Sequence, residues 1–334
     1  MVIKGNFHHL KDCFYDMANE YIIEKIKNET KKHNKDNISR TNAYFYFYLV
    51  HSDIKWSFLA SMVSRNAGWN MCDLEGEHFP KIFPESVRTR LFLTYERANW
   101  TIFEDAYPQL MIYHYSIKYN KPLFHLLDYF HVSKFMVKEW WHYYHSNDRN
   151  RLLLALIINE QNVIQRPVIE HPYFKSKVFH TPLFRMQDIL HINAVVFPTL
   201  TGRLYGDSVV KFQKVTERIA LGKRLSFILF HPELYPQFLK FVVNTKHTGS
   251  RYDYEKYIDN VRKPDTPALR KTYPVIAHHW HDREDWFQQN KMKEKWYDPA
   301  HIKHDINISK WFLQKQEKVK YFAKVLYILK HVCK

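Results

Sequence analysis

The stretch SDIKWSFLASMVSRNAGWNMCDLEG, Ser52–Gly76, joins an apolar run, WSFLASMV, to a polar tail that holds two of the chain's seven glycines. Ser52 or Asp53 can cap the free amides of a first helical turn, and the apolar spacing then predicts a helix that ends near Arg65 and is stopped by Gly68. Arg65, Asn66, Asn70 and Asp73 then fall just past a helix C-terminus, with Trp69 placed to cover one side of a flat ligand. Such a set suits a phosphate, a sugar or a base edge, because guanidinium, amide and carboxylate groups supply both donors and acceptors. The alternative is a helix end whose polar residues satisfy loop amides.

Glycine scarcity extends the helical reading to the whole chain. Seven glycines in 334 residues is well below the usual share of about 7%, and a many-stranded fold needs more positive-φ turns than that. A hydrophobic fraction of 46% is enough to bury a large core. The expected fold is all-α: a single large multi-helix domain over 1–334 with few or no strands. Helices are predicted over 6–30, 41–50, 52–65, 86–99, 102–119 with a bend before Pro108, 122–130, 133–145 and 149–165. Further helices are predicted over 183–197, 208–221, 225–244, 282–296 and 309–332. An exposed linker is expected at 31–39, ahead of a helical core over 40–334, and the polar SNDRN at 146–150 is where the chain would divide if it divides.

Three cysteines, Cys13, Cys72 and Cys333, with no CxxC, form neither a disulfide framework nor a usual zinc site. The N-terminus carries charges and histidines where a signal peptide needs an apolar stretch, and LLLALII at Leu152–Ile158 is too short to cross a bilayer. A cytoplasmic protein is expected. Fifty Lys and Arg against 34 Asp and Glu give a formal charge of +16, which points to a polyanionic partner, nucleic acid first, or to an evenly solvated surface. The basic amphipathic C-terminal stretch is expected to dock on the protein's own core rather than on a membrane.

The segment SRNAGWNMCDLEG, with SRTNAY at Ser39–Tyr44, INEQNVIQRPVIE, FPTLTGRLYGDSVVKF and HTGSRYDYEKY, resembles the YppC-like family of uncharacterised Bacillota proteins, classed as a domain of unknown function. The resemblance spans nearly the whole chain and implies a cytoplasmic bacterial protein. It brings no activity, cofactor or catalytic residue with it.

Several further constellations carry chemistry. In GRLYGDSVVKF, Asp207 or Ser208 would cap the following helix and Arg203 would strengthen an anion site at its N-terminus; an ordinary capped loop is the alternative. In HTGSRYDYEKY, His247 with Asp253 would form a general acid/base pair while Arg251 holds developing negative charge; the alternative is a turn at Thr248-Gly249 held by a local ion pair. No motif calls for a cofactor, but AHHWHDRED places His278, His281 and Asp282 on one face of a predicted helix, the spacing that a divalent metal needs. Among Asn159, Glu160 and Gln161 one residue should face the core, and a buried Glu160 calls for a partner, by default an arginine. LLDYFHVSKFMVKEWW at Leu126–Trp141 fits a helix-turn-helix in its packing positions, but Phe135, Met136 and Trp141 suit a buried αα-corner better.

Two functions are compatible with these features. In the first, a basic face binds nucleic acid or another polyanion. In the second, a hydrolase or transferase acts on a phosphate- or sugar-containing substrate at a cleft where the Arg65/Asn70/Asp73, Arg203/Asp207 and His247/Arg251/Asp253 segments converge.

Overall fold

Asp36 accepts a hydrogen bond from the Ser39 amide at 2.7 Å and so starts a helix at Asn37, three residues after the first helix has ended. The computed structural model describes residues 3–179, 181, 194–209, 211–258, 264–281, 283–287, 292–302 and 305–332, with side chains over 17–329 of these. Helix α1 spans Ile3–His33 and α2 spans Asn37–Val50. The linker expected at 31–39 is thereby reduced to Asn34–Asp36 and is exposed only in part: Lys35 faces solvent, while Asn34 and the first helical residue, Asn37, are buried. Their amides donate to the Trp100 and Ser64 carbonyls at 3.2 and 2.7 Å.

Helix α3, Lys55–Asp73, packs against α2 as a helical hairpin and runs straight through Gly68. The predicted stop at Gly68 is wrong for a steric reason. A Cβ there would lie 2.4 Å from Asn37 Oδ1 and 2.9 Å from the His247 ring, so glycine serves close approach rather than termination. A short helix α4, Phe79–Ile82, leads into α5, Glu85–Lys118, which merges two predicted helices and holds Pro108 in its interior.

A 3₁₀ segment, Phe124–Phe130, turns through His131 at φ 52° into α6, Lys134–Ser146, whose first turn is capped by Ser133. Helix α7, Arg149–Val163, follows under an Asp148 cap. Lys134, Lys138 and His142 are exposed, while Leu126, Phe130, Phe135, Met136 and Trp140 are all buried and Trp141 partly so, as an αα-corner requires. Fully burying each such side chain contributes about 1.5–3 kcal/mol.

Strands β1, Ala194–Pro198, and β2, Leu204–Ser208, pair antiparallel with Val196 opposite Gly206. Strand β1 lies where the end of a helix over 183–197 was predicted, whose remainder to 193 is outside the described residues, and β2 reaches the helix predicted over 208–221 only at Ser208. Gly206, at φ 153°, lets the strands close, since a Cβ would sit 2.0 Å from the Val195 carbonyl oxygen. Helix α8 spans Val215–Leu229 and α9 spans Tyr235–Asn244, the two being divided where one helix over 225–244 was expected, at a turn containing Pro232. Helix α10, Ser309–Val332, buries Phe312, Val319 and Ala323 and exposes Lys318, Lys320 and Lys324, so it docks on the protein's own core. Of the helix expected over 282–296, the described residues are helical only at Glu294–Trp296.

The main core gathers Trp56, Phe58, Phe103, Trp140, Leu156 and Phe238; a second cluster forms around Met71, Phe83, Phe92, Val168 and Leu269. The fold is mostly helical with one small hairpin. Among the described residues no helix is long and apolar enough to cross a membrane.

Candidate functional site

Because α3 continues to Asp73, Arg65, Asn66, Trp69, Asn70 and Asp73 stand on a helix rather than in a loop, and the spacing 65, 69, 73 places them on one buried face. Arg65 donates to the Thr245 carbonyl at 2.9 Å, and burial pulls its pKa down to about 10. Asn66 acts as a splice for β1: its Nδ2 donates to the Val196 carbonyl at 2.6 Å and its Oδ1 accepts from the Val196 amide at 2.8 Å. Trp69 Nε1 donates to Asp253 at 3.1 Å, and Asn70 bonds to Tyr95.

The His247 segment does meet this face. The Asn37 amide is oriented by its bond to Ser64, which leaves Oδ1 to accept from His247 Nε2 at 2.9 Å. Burial pushes the imidazole down to about 4, so His247 is a neutral interior group. Asp253 lies 3.4 Å from its other nitrogen and takes its main bonds from Thr248 N and Oγ1, at 2.9 and 2.6 Å, and from Trp69. Burial opposes ionisation of Asp253, but His247 first and then the Thr248 donors hold its carboxylate below the usual range. Arg251 reaches Asp73 at 2.9 Å, Glu255 at 3.1 Å, Asp265 at 2.5 Å and Gln316 at 2.7 Å. Burial raises Asp73 to about 6 and Glu255 to about 7 against the pull of that cation. A cavity of only about 20 Å³ remains beside these groups, enough for about one water.

The charged side chains of the third predicted segment do not join the cluster. Asp207 ends on β2 and pairs with Arg224, and Arg203 is exposed at the hairpin turn. Neither Asp207 nor Ser208 caps a helix, because α8 begins at Val215. The metal spacing also loses its basis, since His278 and His281 lie in a non-helical segment and Asp282 is outside the described residues. His278 sits 3.9 Å from Glu96 and near Trp100, while His281 stacks on His279. Among the described residues no three metal-ligating side chains gather.

An open cleft of about 1020 Å³ lies elsewhere, walled by α5, the His131–Ser133 corner, the Asn162–Pro172 turn after α7, and the segment His279–Trp286. Its floor is Asp105, whose carboxylate pairs with Arg283 and accepts from Asn159 at 2.6 Å and Gln109 at 2.8 Å. Burial raises the Asp105 pKa. Asn159 Oδ1 in turn accepts from Ser133 at 3.1 Å and Trp286 Nε1 at 2.8 Å, and Gln109 accepts from Trp140 at 2.9 Å. At the rim, Arg166 pairs with Glu284, both well exposed. Arg97 faces the cleft half-buried, stacked on Trp100 at 4.9 Å and without an ion pair among the described residues.

Residues 159–161 are all engaged, where one alone was expected to face inward. Asn159 joins the cleft floor, Glu160 accepts from Trp56 at 3.1 Å and Gln161 at 3.0 Å, and Gln161 accepts from Arg218 at 3.0 Å. Among the described residues Glu160 has no arginine partner, and burial raises it to about 7. Sequence reasoning missed Arg97 and Asp105 entirely. The one signal for Asp105 was a carboxylate amid Phe103, Ala106 and Leu110, on the apolar face of a helix.

A family model described as "Protein of unknown function (DUF2515)" matches residues 32–313. The chain is 48% identical over 299 residues to the "Uncharacterized protein YppC" of Bacillus subtilis (strain 168), covering 89% of this chain and 93% of that protein. No solved structure matches. With most of its length, from α1's end to α10's first turn, inside that match, the chain belongs to the DUF2515 family of proteins of unknown function.

Proposed function

We propose that the protein binds, and in the manner of a hydrolase or transferase acts on, a small phosphate- or sugar-containing molecule held in the Asp105 cleft. The observation that carries this reading is the volume, about 1020 Å³, at the upper end of small-ligand sites. It coincides with a floor of satisfied polar groups and with Arg97, which has no ion pair among the described residues. Asp105, raised by burial, is the carboxylate best placed to exchange a proton with a bound substrate. The test is ligand-observed NMR with sugars and phosphates on the full chain and on Asn162→Trp, which adds bulk to the cleft wall. Binding to the wild type that disappears in the variant is expected; equal binding to both would place the ligand elsewhere.

A second reading, an extended polyanion such as nucleic acid on a basic surface, draws on the +16 charge and the exposed Lys318, Lys320 and Lys324 of α10. Phosphate contacts release counterions, so affinity for a single-stranded oligonucleotide should fall steeply with salt. Anisotropy that does not change between low and physiological salt would exclude it.

A further inference from the structure

We propose that the Arg97 end of the cleft is a subsite for the phosphate of a phosphate monoester, with the hydroxylated remainder of the molecule lying toward Asp105. This inference rests on the ligand reading of the cleft given above. Arg97 leaves α5 two turns before Asp105, and both line the same cleft; eight residues at the helical rise separate them by about 12 Å. That span suits a small molecule with a charged end and a neutral end.

Three observations make the Arg97 end an anion site. First, Arg97 is held against Trp100 and partly desolvated, and burial alone lowers its pKa, with no carboxylate acting on it. The adjacent carboxylate, Glu96, is already committed to Arg40 at 2.5 Å. Second, Arg97 acts on the neighbouring imidazole: after burial it is the first of the groups that depress His278, whose own carboxylate contact, Glu96 at 3.9 Å, is shared with Arg40. Third, His279 and Trp280 line the same cleft as Arg97 and carry N–H groups, with the Trp280 ring 6.4 Å from Trp100 and 4.5 Å from the Arg283 guanidinium. A tetrahedral oxyanion uses several such donors, and guanidinium matches phosphate oxygens in pairs. The opposite end differs, because Arg283 is neutralised by Asp105 and the neighbouring lining group, Ser133, is an uncharged hydroxyl.

The experiment measures binding of ribose 5-phosphate, ribose and inorganic phosphate to the full chain by calorimetry, comparing wild type with Arg97→Gln, Arg97→Lys, Arg166→Gln and Asn162→Trp. The phosphate ester should bind more tightly than ribose, Arg97→Gln should weaken it by about tenfold or more, Arg97→Lys should restore part of the loss, and Arg166→Gln should change it by less than about twofold. Ester binding unchanged in Arg97→Gln but abolished in Asn162→Trp would overturn the subsite and leave the cleft reading standing. Ribose binding as tightly as its phosphate would do the same. Ester binding unchanged in both variants, or no binding of either phosphate to the wild type, would also overturn the subsite; the first of these removes the cleft reading with it.

Discussion

The α3 face and the Asp105 cleft are both polar, yet one is closed and the other open. Around Arg251 and His247, charged and amide groups bond one another so completely that the residual space is about 20 Å³. Around Asp105 a similar inventory surrounds about 1020 Å³, and Arg97 has no ion-pair partner among the described residues. A dense run of polar residues near an apolar helix is therefore as much a sign of a satisfied interior as of a ligand site. What separates the two regions is the space left between the groups, about 20 Å³ in one and about 1020 Å³ in the other.

The closed region should respond to mutation through stability. Arg251→Met leaves Asp73, Glu255 and Asp265 facing one another without their cation; the expected loss is about 3–5 kcal/mol in urea unfolding. A loss under about 1 kcal/mol would mean that the cluster is far wetter than its burial implies. Gly68→Ala drives a methyl into Asn37 and His247 and should cost about 1–3 kcal/mol, although an exposed helical glycine gains stability from the same change.

The pH response follows from His247, whose folded pKa is near 4 through burial. A depressed value means that the unfolded chain takes up the proton first, so stability is fully present above about 6.5 and is lost as pH falls toward 4. Relative to His247→Gln, the wild type should lose on the order of 1 kcal/mol per pH unit across that window; parallel stability curves would contradict a neutral buried imidazole. At the open region the smallest effect is expected: Arg166→Ala breaks a pair exposed on both sides and should alter stability by less than about 0.5 kcal/mol.

The helical character was legible because glycine is scarce and apolar residues recur at helical spacing, whereas the Asp36 cap was hidden in a charge-rich run and the cap expected from Ser52 or Asp53 does not form. Gly68 misled because a glycine that ends a helix and one that admits a neighbour look alike in one dimension; the neighbours, Asn37 and His247, are 31 residues before and 179 residues after it. The hairpin was missed because its pairing depends on Asn66 completing the edge of β1, a contact across 130 residues. The meeting of the Arg65–Asp73 and His247–Asp253 segments was anticipated as a condition for a site, whereas their depth was not. Arg97 and Asp105 escaped notice because each is a lone charge in a helical pattern, and only the packing of α7 and the 279–286 segment around α5 makes them walls of one cleft.

Tryptophan reports on both regions, since the Trp69 indole N–H belongs to the closed cluster and the Trp286 indole N–H to the cleft floor. Titrating ribose 5-phosphate into ¹⁵N-indole-labelled protein should shift the Trp286 resonance progressively while Trp69 stays fixed. A shift of Trp69 with Trp286 unmoved would contradict the assignment of ligand to the cleft.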